Sequence, residues 1–454
     1  SLYQPCGTDG LRSYLEFEGA AMAASVYVNG TNVCSHEGGY STFRADITDH
    51  LRVGENLICV SVDNGVNDRI YPQMADFTFY GGLYRNVNLI IVPETHFNLD
   101  YYGAPGLAYT AKTEGETAAV ELKAWVTAPE TGDSVCFTIL DSQGITAAQG
   151  YTPAEACSST VLCLTSPHVW QGVLDPYLYT VRAELVRRNE RIDCVNVKMG
   201  IREFSVDPEK GFLLNGIPTP LRGVSRHQDR LCVGSALTRE QNLEDAALIR
   251  EIGANTVRLA HYQHSQDFYE ACDAMGFVVW AEIPFISRMS GNPAAHENCI
   301  LQLKELILQN YNHPSICFWG ISNEITIGGD SPQLHRNLRE LNDLAHAMDS
   351  TRLTTMAHIS MLEPDNEQVY LTDVMSYNHY FGWYGGKIED NGPWLDKFHA
   401  EHPDICIGIS EYGTEGIINW HSNDPQCKDY TEEYQALYHE HLAQRRVRYA
   451  TACH

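Results

Sequence analysis

The sequence predicts two antiparallel β-sandwiches followed by a parallel α/β barrel, and three observations carry that prediction. At 454 residues the chain exceeds one ordinary domain, and ~150 residues per domain gives about three. Up to about Arg202, short runs alternate apolar and polar side chains between turn residues, the period of half-buried antiparallel strands. From about Phe204 onward, short apolar strands alternate with amphipathic helices, which implies a parallel sheet with helical crossovers. The expected division is 1–93, an incomplete sugar-binding-like, jelly-roll-like sandwich; 94–202, an immunoglobulin-like sandwich; and 203–454, an incomplete (β/α)8 barrel.

In the first unit, Val26-Tyr27-Val28-Asn29-Gly30 runs a strand into an Asn-Gly hairpin turn, and Asn56 to Val62 alternates again. Ser1 to Ser13 shows no pattern. A sandwich opening on Leu15-Glu16-Phe17-Glu18 would lack its first strands, so a truncated or altered N-terminus is expected. The second unit offers Val120–Thr127, Ser134–Leu140, Thr160–Leu164, Tyr177–Leu185 and Val195–Ile201. It holds no cluster of titratable groups, which assigns it a structural role.

The third unit is expected to place strands at Thr219–Arg226, Asn255–Ala260, Phe277–Ile283, Ser315–Ser322, Arg352–Ala357, Asp373–Tyr377 and Ile405–Ser410. Helices are expected at Thr238–Ile252, Gln266–Met275, Glu297–Gln309, Leu334–Met348 and Thr431–Ala443. The eighth strand is missing from this reading, because Arg445 to His454 resembles neither a core strand nor a capped end. An open ring would expose two parallel edges, which proteins normally avoid.

Composition excludes several classes. The formal charge of −27 repels nucleic acid backbones and anionic membrane surfaces. No apolar run reaches the ~20 residues of a membrane span. The 14 cysteines form no CxxC pair and no zinc-ligand spacing, and Cys317 and Cys406 fall in apolar strands as buried thiols, which points to a reducing cytoplasm. Ser1 to Gly10 carries no secretory signal pattern.

Chemistry concentrates at two strand ends. Ile316 to Ile321 is a continuous apolar run after Pro314, too short for a helix, and it ends in Ser322-Asn323-Glu324. A buried parallel strand brings such a carboxyl to the C-terminal rim of a barrel, where active sites lie. Ile405 to Ser410 repeats the arrangement and ends in Glu411-Tyr412-Gly413. Two carboxyls on one rim are what glycoside hydrolysis requires, one as proton donor and one to attack or to activate water.

Here the chain resembles glycoside hydrolase family 2. The resemblance rests on His313-Pro314-Ser315 with Asn323-Glu324, on Ser410-Glu411-Tyr412-Gly413, and on an ordered set of further segments. These are Gly223 to His227, Asn255 to Tyr262, Trp280-Ala281-Glu282, Tyr377 to Tyr384, and Gly81 to Val87 in the first sandwich. It covers about Tyr14 to Ala443. It implies a retaining double displacement with Glu411 as nucleophile and Glu324 as general acid and then base, their carboxyls ~5 to 5.5 Å apart. It further implies substrate contacts for His227, Arg258, His261 and Asn323, with Tyr380 orienting Glu411. Glu282 would bond sugar hydroxyls or hold Arg258. Asp76, nine residues before Arg85 (85 − 76), stands at the spacing from which an acid of the first domain reaches the sugar. Trp319 and Trp383 are expected as core or stacking aromatics.

Within the family, the segments Phe318 to Gly329 and Ser376 to Tyr384 look most like bacterial β-galactosidases, so the expected substrate is a terminal β-D-galactoside. A β-glucuronidase or another β-glycosidase of the same family is the alternative; the Asn-x-Lys element that the glucuronidases carry beyond the last barrel strand is not found here, where the region expected to hold it is missing too. A carbohydrate-binding remnant or inactive fragment is the reading of another class. No cofactor is expected. Larger galactosidases hold magnesium through an acid and a His after the third strand, and Pro284-Phe285-Ile286-Ser287-Arg288 supplies neither. Many members of the family assemble, which implies a homo-oligomer.

Overall fold

The computed structural model describes residues 2–4, 10–444 and 450–453. In the first sandwich, Leu11–Phe17 pairs with Val87–Pro93 and Phe43–Asp46, and a facing sheet orders Thr31–Glu37, Ala23–Val28 and Ile58–Asp63. Asn29 and Gly30 adopt φ of 51° and 88°, the left-handed pair that closes a two-residue hairpin. Phe17, Val26, Val28, Phe43 and Ile47 fill the space between the sheets. Two parts of the stretch Ser1 to Ser13, read as patternless, are strand: Leu11–Phe17 begins inside it, and Leu2–Gln4 pairs with Gly54–Asn56. Backbone pairing at a sheet margin needs no apolar alternation, which is why the sequence did not disclose them.

The second sandwich stacks Leu107–Glu114, Thr117–Thr127 and Cys157–Thr165, with His96–Phe97, against Thr146–Pro153, Ser134–Leu140, Tyr179–Arg187 and Glu190–Met199. Its core holds Phe97, Val120, Leu122, Phe137, Ile139 and Val181.

The barrel strands are β1 (Arg222–Arg226), β2 (Thr256–Leu259), β3 (Val278–Glu282), β4 (Ile316–Asn323), β5 (Leu353–Ile359), β6 (Val374–Asn378), β7 (Ile407–Glu411) and β8 (Ala450–Cys453). Outside them lie α1 (Arg239–Glu251), α2 (Gln266–Met275), α3 (Pro293–Asn310), α4 (Pro332–Met348), α5 (Asn391–Glu401) and α6 (Glu432–Gln444). All eight strands run parallel in one closed ring. The fold class is the expected barrel, and the ring that the sequence left open is closed by β8, whose backbone pairs with β1 and β7. An Ala-Thr-Ala-Cys strand is too short and too small in its side chains to register as apolar in sequence.

Local signals set the helices. Thr238 caps α1 in a reciprocal box with Gln241, Ser331 caps α4, and Gly276 ends α2 in the left-handed region at φ 80°. β4 is buried along its whole length, as its apolar run predicts. No helix among the described residues is long and apolar enough to cross a membrane.

The first sandwich is locked onto the barrel by a polar stripe of α3. Asn298 Nδ2 donates to the Glu37 carbonyl, Glu305 accepts from His36 and Ser41, and Gln309 bonds both the N–H and the carbonyl of Thr42. Arg85 donates to the carbonyls of Glu18 and Tyr40 on one side and to Gln228 and the Gln263 carbonyl on the other. These bonds hold the sandwich loop that contains Asp76 and Phe77 over the barrel's C-terminal mouth.

Candidate active site

β4 and β7 deliver two carboxyls to this mouth. Glu324 follows the last residue of β4 in the left-handed region at φ 45°, a costly conformation for a residue with a Cβ. Its N–H is tied to the Ala357 carbonyl at 2.8 Å, so β5 fixes the direction in which the side chain leaves the strand.

Glu411 ends β7, buried at 5% exposure. One of its oxygens, Oε1, accepts from Arg258 Nη1 at 2.5 Å, with His261 Nε2 3.7 Å away. The other, Oε2, accepts from the Tyr380 hydroxyl at 2.6 Å. Donors to both oxygens favour a charged acceptor. Burial first, and then the Glu411 charge, push the Tyr380 phenol far up, so it remains a donor.

Arg258 is itself 1% exposed. Its Nε and Nη2 meet Glu282 Oε2 and Oε1, each at 2.9 Å, and Nη2 also reaches Asn323 Oδ1 at 2.8 Å. Its guanidinium lies 4.7 Å from the Trp280 ring centroid. Gly320 makes room for this: a Cβ there would stand 2.3 Å from Trp280 Nε1 and 2.4 Å from Glu282 Cβ. Asn323 Oδ1 accepts a second bond from Asn378 Nδ2 at 3.1 Å, and Asn378 Oδ1 accepts from Ser410 at 2.8 Å. Both bonds to Asn323 fall on its carbonyl, which leaves the amide nitrogen as the end free to donate to a ligand.

Electrostatics separate the two acids. Burial first, and the nearby Glu411 charge second, raise the Glu324 carboxyl from 4.5 to about 7, with Asp76 adding to the rise. The native state therefore holds this proton more tightly than the unfolded chain. That contribution to stability is complete below the unfolded pKa and is lost as pH climbs through the folded one. Wild type is expected to lose roughly 2–3 kcal/mol more than Glu324→Gln between about pH 5 and about pH 8. Urea unfolding of both proteins across that range checks it, and parallel stability curves would contradict it.

The predicted residues do not all occupy the roles the sequence suggested. Glu324, Glu411, Arg258, His261, Asn323 and Tyr380 converge. Asp76 is near enough for its charge to act on Glu324. His227 lies beside them, its Nδ1 3.1 Å from the Tyr262 hydroxyl and its ring 5.1 Å from Phe77 and 5.2 Å from His261. Glu282 is brought in as a support: it is 0% exposed, and both its oxygens are taken by Arg258 and His261. It holds Arg258 and presents nothing to a sugar. Trp383 is 2% exposed and packs on Tyr430 and Tyr434, and Trp319 donates to Asp349 in the core. Neither presents an open stacking face. Asn378, Phe77, Trp280 and Tyr384 complete the arrangement and were not singled out from sequence. Asn378 and Tyr384 lie inside the segment quoted for the resemblance, and Phe77 is adjacent to Asp76; those positions were the available signal.

Among the described residues, no group of three or more His, Cys, Asp or Glu side chains is arranged to hold a metal ion. The stretch after β3, Pro284-Phe285-Ile286-Ser287-Arg288, offers no carboxylate for magnesium.

Comparison with known proteins agrees with this architecture. Models of glycosyl hydrolases family 2 match in three successive parts, the sugar-binding domain at 7–93, the central domain at 107–202 and the TIM-barrel domain at 206–452. A β-glucuronidase of Bacteroides fragilis is 37% identical over 95% of this chain and 64% of its own length. A β-galactosidase of Thermoanaerobacter pseudethanolicus is 33% identical over 84% of this chain and 50% of its own. The chain thus spans about half to two thirds of these curated relatives. A solved FMN-binding β-glucuronidase from F. prausnitzii L2-6 superposes with a TM-score of 0.97 at 54% identity, covering 100% of this chain and 71% of that one. With all three domain models in order and the paired carboxyls at the barrel mouth, the chain belongs to glycoside hydrolase family 2.

Proposed function

We propose that this site hydrolyses terminal β-D-glucuronides with retention of anomeric configuration. The observation that carries the reaction type is the division of labour between two neighbouring carboxyls. Glu411 is held by Arg258 and Tyr380 in a form suited to attack, while Glu324, buried beside it, keeps a proton to about pH 7. In the first step Glu411 attacks the anomeric carbon as Glu324 gives its proton to the departing glycosidic oxygen, leaving a glycosyl ester on Glu411. In the second, Glu324 takes a proton from water, which attacks the same carbon and releases Glu411. Asn323 donates to the sugar hydroxyl next to the anomeric carbon. Asp76, His227 and His261 surround the remaining hydroxyls, and Arg258 with Glu282 acts through Glu411.

The sugar is inferred from the relatives. Those named β-glucuronidase include the B. fragilis and F. prausnitzii proteins, which weighs the assignment away from the β-galactoside expected from sequence. The T. pseudethanolicus relative keeps β-galactoside as the second reading. The flavin named for the F. prausnitzii protein is a property of that protein; displacement at an anomeric carbon has no redox step.

The test is hydrolysis of para-nitrophenyl β-D-glucuronide and β-D-galactoside, with the first-formed anomer read by proton NMR. Faster cleavage of the glucuronide with release of the β-anomer is expected, and kcat/KM should fall about tenfold per pH unit above about 7 as Glu324 loses its proton. Release of the α-anomer would overturn the retaining mechanism, and cleavage of neither glycoside would overturn the reading and favour a carbohydrate-binding remnant.

A further inference from the structure

Ser410 directly precedes the attacking carboxylate in β7 and is 2% exposed, and Asn378 at the end of β6 is 1% exposed. The Ser410 hydroxyl donates to Asn378 Oδ1 at 2.8 Å, Asn378 Nδ2 donates to Asn323 Oδ1 at 3.1 Å, and Arg258 Nη2 donates to the same oxygen at 2.8 Å. The polarity of this chain of bonds is set at its arginine end. A guanidinium cannot accept, so Asn323 turns its carbonyl to Arg258, Asn378 meets that oxygen with an N–H, and the Asn378 carbonyl is left facing residue 410. That residue has to donate. A buried amide carbonyl left without a donor costs ~1–3 kcal/mol.

The amide nitrogen of Asn378 carries two protons, and its second partner is the acid. Burial and the Glu411 charge raise the Glu324 carboxyl, and a hydrogen bond from Asn378 is the largest influence acting the other way. Asn378 therefore stands between Asn323, which faces the sugar, and Glu324, which holds the proton. Charged and titratable groups that also act on Glu324 include Glu411 on β7, Arg258 on β2, Asp76 on the sandwich loop, and Tyr380 and Tyr384 after β6. Beside Ser410 the barrel interior holds a cavity of about 50 Å³, lined also by Trp280, Phe318, Thr355 and Ser376. It has room for an added methyl group at position 410.

We propose that Ser410 is a positioning residue, whose hydroxyl holds Asn378 with one N–H on Asn323 and the other on Glu324 and so aligns the proton donor with the attacking carboxylate that follows Ser410 in β7. This deepens the glycosidase reading above and rests on it, adding a side chain that touches neither the sugar nor the reacting atoms.

Threonine and valine have nearly the same shape, and only threonine carries the hydroxyl, so Ser410→Thr and Ser410→Val are the matched variants. The Glu324 proton is followed first, through stability. The difference in urea-unfolding stability between each protein and its Glu324→Gln counterpart changes as pH rises and levels off above the folded pKa of Glu324, about 7 in wild type. Losing a hydrogen bond to the charged form raises that point, so Ser410→Val should move it upward by about 0.5 to 1 in pH, the worth of one net hydrogen bond. Ser410→Thr should leave it in place. The second measurement is kcat/KM for methyl β-D-glucuronide, whose departing alcohol needs a proton. It should fall about tenfold at pH 7 in Ser410→Val and less than about threefold in Ser410→Thr. A levelling point that Ser410→Val leaves in place, or the same shift and the same loss in both variants, overturns the proposal while leaving the glycosidase reading intact. If wild type cleaves no glycoside, that reading fails separately, and the stability measurement alone decides whether Ser410 positions Glu324. Ser410→Ala replaces the valine variant if the latter does not fold.

Discussion

Glu411→Gln should reduce turnover of either nitrophenyl glycoside by roughly 10⁴- to 10⁶-fold, the range seen when a catalytic nucleophile is removed. The replacement keeps the volume; its carbonyl oxygen still accepts from Arg258 while its amide nitrogen faces the Tyr380 hydroxyl, which turns to accept, so folding is preserved while the attacking oxygen is lost. That loss corresponds to about 5–8 kcal/mol of transition-state stabilisation. Glu324→Gln should behave differently. Its cost depends on the leaving group, because a nitrophenolate departs without a proton and an alkyl alcohol does not. For a nitrophenyl glycoside, formation of the glycosyl ester should be slowed little and its hydrolysis more, so the ester accumulates and an initial burst of nitrophenol appears. Stopped-flow release of nitrophenol from both variants separates the roles. Similar losses for both variants, with no burst from Glu324→Gln, would mean the two acids are not divided as attacker and proton donor.

Arg258→Met should destabilise the protein by roughly 3–5 kcal/mol and abolish most activity. The guanidinium is sealed from solvent and lies against two carboxylates and the Asn323 amide. Methionine fills much of its volume but leaves Glu282 and Glu411 buried without their cation. Burial already raises the Glu282 carboxyl, with Arg258 as the chief opposing influence. Without the arginine, Glu282 should take up a proton at higher pH, so the variant should recover part of its lost stability as pH falls. Urea unfolding at two pH values measures this. A loss below about 1 kcal/mol, the scale of an exposed ion pair, would show that the cluster is far more hydrated than its burial indicates.

The parts of this molecule legible in sequence are those whose physical cause is local. β4 is buried on both faces, so its apolar run betrays it, and β7 is legible for the same reason. The Asn29-Gly30 turn announces its hairpin because few other residues adopt two successive positive φ angles cheaply. By contrast, Thr146–Pro153 and Leu107–Glu114 were missed, since strands with one solvent face and few bulky apolar residues resemble loops. α5 was missed because Asn391-Gly392-Pro393 opens it with weak helix formers. β8 was missed because its reason for existing lies in two neighbours far away in the chain.

The same division runs through the site. That Glu324 and Glu411 end buried parallel strands, and so share one rim, followed from the period of apolar residues in their own segments, which any chain of this pattern must bury. Which oxygen each donor would meet, that Glu282 would be consumed by Arg258 and His261, and that Trp383 would be covered were decided only by the packed structure. Those outcomes depend on contacts between residues dozens to hundreds of positions apart, and on the removal of water that lets one buried charge reset the proton affinity of another.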